Sequence, residues 1–161
     1  MNSRVEKAAA LFQEGYNCSQ SVFAAYSDLY GMDTETALKI SASFGGGMGR
    51  MREVCGAVSG MFLVAGLETG TTDAKDVQGK KANYDMVQRL AEEFKKNTGS
   101  IICKELLGLV EKENSNQVEA AEFKDTQPET RTPEYYKKRP CVQLVRDAAE
   151  IIENVLLKEK E

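Results

Sequence analysis

Four cysteines and no histidine define the chemistry open to this chain of 161 residues. The cysteines are Cys18, Cys55, Cys103 and Cys141. Without histidine there is no Ser-His-Asp or Cys-His triad, no Cys₂His₂ or Cys₃His zinc site, no HExxH metalloprotease and no histidine-ligated haem. Any chemistry must run on thiols, carboxylates, amines, hydroxyls, backbone groups or a bound cofactor. No two cysteines form a CxxC pair, which removes zinc ribbons, thioredoxin-type motifs and c-type haem attachment. What matters next is which elements carry the four thiols.

The apolar spacing is helical almost throughout. Ser3 is placed to cap a first helix that carries Val5, Ala8, Leu11 and Phe12 on one face and stops near Gly15. Asn17 caps a second helix through Val22, Ala25, Tyr26 and Leu29, ended by Gly31. Asp33 or Thr34 opens a third with Ala37, Leu38, Ile40 and Phe44, broken by Gly45-Gly46-Gly47-Met48-Gly49. A fourth, from about Arg52 to Leu67, is apolar on most sides and therefore central. Its Gly56 and Gly60 share a face and allow a neighbouring helix to approach closely.

After Gly70-Thr71-Thr72-Asp73, a long amphipathic segment carries Val77, Tyr84, Val87, Leu90, Ala91 and Phe94, and ends at Asn97-Thr98-Gly99. Ser100 caps a short helix from Ile101 to Leu107. Residues 111–134 are polar and read as a mobile excursion with a helical turn around Val118 to Phe123; the loop runs on to 139. Pro140 suits the first turn of a last helix. Its stripe Val142, Val145, Ala149, Ile152, Leu156 adjoins a second, Leu144, Ala148, Ile151, Val155, so this helix is deeply buried or has a partner. The expectation is an all-α single domain over 1–161: a bundle of about six or seven helices with a long polar loop, 111–139, before the last.

On these boundaries every cysteine falls near a helix start. Unpaired backbone N–H groups and the helix dipole favour the thiolate there, the form that attacks disulfides and binds metals. Arg50 and Arg52 before Cys55, Lys104 beside Cys103, and Lys137-Lys138-Arg139 before Cys141 push the same way. If the four starts converge, four sulfurs could surround an Fe–S cluster or Zn²⁺. Alternatively the cysteines cycle between dithiol and disulfide, one attacking and another resolving. Cys55 is then the expected nucleophile, left accessible by the glycine run. The plainer alternative makes the cysteines buried filler, or a structural zinc site, in a helical interaction module that dimerises through the last helix.

The stretch Phe44 to Arg50 opens into a helix. Gly45, Gly46, Gly47 and Gly49 with Arg50 are read either as an anion-binding loop or as a tight turn joining two helices. It lacks the order of a P-loop or of GxGxxG. Glu53 reads as a solvated first-turn charge. Tyr135-Tyr136-Lys137-Lys138-Arg139 mixes aromatic and basic residues, but a formal charge of −4 and a pI near 5.1 argue against nucleic-acid or anionic-membrane partners. The N-terminus does not read as a secretory signal, and Val54 to Leu67 is too short to cross a bilayer. A cytoplasmic protein with reduced, metal-bound or redox-active cysteines is expected.

The block Cys55-Gly56-Ala57-Val58-Ser59-Gly60 follows Phe44-Gly45-Gly46-Gly47-Met48-Gly49-Arg50 and is flanked by Cys18, Cys103 and Cys141. Together they resemble the C_GCAxxG_C_C family of bacterial and archaeal redox-active proteins, from about Asn17 into the last helix. The resemblance implies a small helical protein with a redox or metal-centre role, working with a redox partner such as an oxidoreductase or transporter. Similar domains stand beside haem-binding modules with an Fe–S centre supposed on the four cysteines; this chain has no haem-attachment sequence.

Overall fold

The structure is a computed structural model and describes residues 2–109 and 126–158. The all-α expectation holds: six helices of seven or more residues carry the fold. In chain order the helices are α1 (Val5–Gln13), α2 (Cys18–Tyr26), α3 (Thr34–Ser41), the single turn α4 (Gly45–Met48), α5 (Gly56–Thr69), α6 (Val77–Thr98), α7 (Cys103–Leu106), α8 (Pro133–Lys138) and α9 (Cys141–Ile151). A 3₁₀ turn, Ser27–Tyr30, extends α2, and a π-helical turn, Ile152–Leu156, extends α9.

Helix α5 is the centre. Ala57, Val58, Met61, Val64 and Ala65 are buried, and α2, α6 and α9 pack around it. The close approach expected of Gly56 and Gly60 is made by α2. A Cβ on Gly60 would stand 2.8 Å from the carbonyl oxygen of Ser19 and 3.0 Å from Cβ of Val22. The doubled stripe of the last helix is spent inside the chain. Leu144, Val145, Ala148, Ala149, Ile151 and Ile152 are buried against α1, α2, α5 and α6, with Val142 and Val155 half-buried beside them.

Several boundaries differ from the sequence reading. Helix α1 begins at Val5 with Arg4 in the cap position, and Ser3 accepts only the Val5 N–H, at 3.3 Å. Helix α5 begins at Gly56 rather than near Arg52, because positive φ angles at Met48, Gly49, Arg50 and Arg52 forbid a helix there. The polar stretch before the last helix is not all loop. Thr132 caps α8, with Pro133 in its first turn, and Arg131 donates to the carbonyls of Phe12 and Tyr16, each at 3.1 Å. The turn expected around Val118 to Phe123 lies outside the described residues. No helix among the described residues is long and apolar enough to cross a membrane.

Candidate functional site

The four cysteines converge on one end of the bundle, where they line a cavity of about 70 Å³. Cys18, Cys103 and Cys141 are each the first residue of a helix, and Cys55 is the residue before α5. The helix-start pattern read from the sequence is therefore real, and its outcome is a shared site.

Each position has a local cause. Asn17 closes a capping box: its Oδ1 accepts the Gln20 N–H at 2.9 Å, and Gln20 Oε1 accepts the Asn17 N–H at 3.0 Å. The Asn17 amide also donates to the Ala42 carbonyl, which ties the start of α2 to the segment leading into the glycine run. Cys55 and Cys103 are held by a short antiparallel pairing that the sequence did not announce. Cys55 N–H donates to the Ile101 carbonyl at 2.7 Å, and Cys103 N–H to the Glu53 carbonyl at 2.6 Å, on either side of a Val54–Ile102 bridge. Pro140 precedes Cys141 as the cap of α9.

The glycine run makes room for these parts. Gly47 has φ +69°, and a Cβ there would stand 2.6 Å from Cβ of Cys103 and 2.8 Å from the Glu53 nitrogen. Gly46 has φ +66°, and a Cβ would collide with the Arg50 stem at 2.7 Å. Within the loop the amides of Arg50, Arg52 and Glu53 donate to the carbonyls of Gly45, Gly46 and Gly47. Gly45, Gly46, Gly49 and Arg50 serve as walls of a second cavity.

The thiols are not equivalent. Interaction with the neighbouring Cys18 thiol lowers the Cys141 pKa, and the guanidinium groups of Arg139, Arg131 and Arg52 lower it further against the cost of burial. The same interaction, with burial, raises the Cys18 pKa well above the ordinary thiol value. The pair gives up its first proton early and its second late. Burial pushes Cys55 up to about 12, although the Val58 and Ala57 amides oppose it. Cys103 is also raised by burial, opposed by Arg52, whose Nη1 lies 3.7 Å from its sulfur. Cys55 is only 4% exposed, and its raised pKa works against the ready nucleophile expected of it.

The residues that the sequence reading undervalued are the arginines. Arg131 lay in the presumed loop, yet its guanidinium sits 4.2 Å from the Phe12 ring centroid and 4.9 Å from that of Tyr135. Tyr135 and Tyr136 meet edge to face at 5.4 Å, and from the aromatic-basic stretch Tyr135 and Arg139 line the cysteine cavity while Lys137 and Lys138 stay exposed. The available signal was Arg131 preceding the Thr132-Pro133 helix start. Among the described residues, no three His, Cys, Asp or Glu side chains are placed to hold a metal ion.

No curated protein and no solved structure matches the chain. One family model does, across residues 16–155, and its description is "Putative redox-active protein (C_GCAxxG_C_C)". It spans all four cysteines and the glycine run that shapes their cavity, and the chain belongs to the C_GCAxxG_C_C family.

Proposed function

We propose that this is a cytoplasmic dithiol–disulfide redox protein that works through Cys18 and Cys141. The observation that carries the reading is that Cys18 and Cys141 line one cavity whose wall also holds Arg52, Arg131 and Arg139. Cys141, as thiolate, attacks one sulfur of an incoming disulfide. Its S–S bond breaks and one thiolate leaves. Cys18 then attacks the Cys141 sulfur of the mixed disulfide, forming a Cys18–Cys141 bond and releasing the second thiolate, and the Cys18 proton passes to the departing sulfur. Two electrons move from the protein to the substrate, and a dithiol partner protein returns them by the reverse exchange. Cys55 and Cys103, clipped together by backbone pairing, hold the floor of the cavity as neutral thiols.

The test is anaerobic purification, reduction, mild oxidation and peptide mapping. The expected product is a Cys18–Cys141 disulfide, reversed by dithiothreitol and absent from Cys18→Ser. Stoichiometric iron and sulfide in the purified protein would move the answer to a cluster, and zinc alone to a structural site. No reversible disulfide and no metal would leave the interaction-module reading.

A further inference from the structure

Beside the cysteine cavity lies a second one of about 270 Å³. The two share Asn17, Gly46, Arg52, Arg131, Tyr135 and Arg139 as walls, so one layer of side chains both separates and connects them. The outer cavity is strongly cationic. Arg50, Arg52, Arg131 and Arg139 line it, and Glu129, paired with Arg139, is the one carboxylate in its wall among the described residues. This concentration of positive charge sits on a protein with net charge −4.

Arg139 is paired with Glu129, but Arg131 donates to main-chain carbonyls and Arg52 faces a thiol. Arg50 stands out: its Nε and Nη1 are buried and meet no acceptor among the described residues. Leaving charged donors buried and unpaired is costly. The fold holds Arg50 there on a strained backbone, φ +65°, with Gly46 clearing space for its stem. A guanidinium takes a carboxylate through two parallel hydrogen bonds, from Nε with Nη2 or from Nη1 with Nη2, so each unpaired donor of Arg50 is one half of such a fork.

We propose that the outer cavity binds the substrate of the cysteine pair, and that this substrate is a small disulfide carrying carboxylate groups, captured by Arg50 with its S–S bond directed at Cys141. The proposal rests on the dithiol reading above. The cavity is just below the usual range for small-molecule sites, roughly 300–1,000 Å³, which favours a compact ligand over a polypeptide segment. Arg50 is not among the cations that stabilise the Cys141 thiolate, so it separates substrate capture from thiol activation.

The experiment compares the reaction of reduced protein with three disulfides: anionic 5,5′-dithiobis(2-nitrobenzoate), neutral 2,2′-dithiodipyridine and cationic cystamine. Each rate at Cys141 is divided by that of free cysteine at the same pH. At low ionic strength the anionic probe is expected to lead the cationic one by about tenfold or more, with the lead shrinking as salt rises. Arg50→Gln is expected to reduce that lead about tenfold. Malonate is expected to slow the anionic probe selectively on the unmodified protein, which reads the same site without a substitution. Equal normalised rates for all three probes, or no effect of malonate, would overturn the proposal. Failure of every probe to react at Cys141 would instead remove the dithiol reading.

Discussion

Cys18, which opens α2, and Cys141, which opens α9, line one cavity, and their interaction favours the proton on Cys18 and the thiolate on Cys141. One sulfur of the pair is thereby prepared to attack and the other kept in reserve. Alkylation should read this order directly. With iodoacetamide under reducing, anaerobic conditions, Cys141 is expected to label first and Cys55 last by peptide mass spectrometry. The thiolate is the reactive form, so the Cys141 rate should stay high at pH values where an ordinary thiol, near pKa ~8.5, has slowed. Arg139→Gln removes a stabilising cation and should move that inflection upward.

The buried thiol of Cys55 predicts an alkaline weakness. Its folded pKa, about 12, lies above the unfolded value, so its contribution is complete below pH ~8.5 and lost as pH rises toward the folded value. By pH ~10.5 the loss is on the order of 2–3 kcal/mol. Urea unfolding from pH 8 to 10.5 is expected to show a steeper fall for the native protein than for Cys55→Ala.

Two glycines should respond oppositely to one methyl group. Gly47→Ala meets Cys103 and the Glu53 nitrogen at a left-handed backbone angle and should cost about 2–4 kcal/mol. Gly66, exposed within α5 with nothing near its Cβ position, should gain about 0.5–1 kcal/mol on conversion to Ala. Chemical denaturation of the two variants checks both signs.

Arg131 fastens α8 to the end of α1 through the carbonyls of Phe12 and Tyr16 and by lying over Phe12. Arg131→Met should cost about 1–3 kcal/mol. It should also speed alkylation of the otherwise protected Cys103, because the covering edge of the cavity loosens. Unchanged labelling in a folded variant would show that α8 does not guard the site.

Much of this was legible because the determinants are local. The capping residues Asn17 and Asp33 mark helix starts by chemistry confined to one turn, and both cap in the structure. The glycine run announced a break for the same reason. The rest depends on residues far apart in sequence. The pairing of Glu53 and Cys55 with Ile101 and Cys103 is too short for any alternating pattern to reveal it. Arg131 reads as a polar loop residue until Phe12, Tyr16 and Tyr135 gather around it. Cys55 seemed exposed because glycines precede it. Those glycines instead let neighbouring segments close over it, and the thiol lost the solvent that would have ionised it.

The placement of the proposed exchanging pair has a topological result. Cys18 opens the second helix and Cys141 the last, so a bond between them turns a loop of about 120 residues into a covalent ring, with α1 and the last helix as its tails. A ring of that size removes chain entropy worth about 4–5 kcal/mol from the unfolded state. Electron transfer at the site would thus be written into the persistence of the whole molecule: the oxidised protein would outlast the reduced one against heat and proteases, and a cell could read its redox history from how much protein survives.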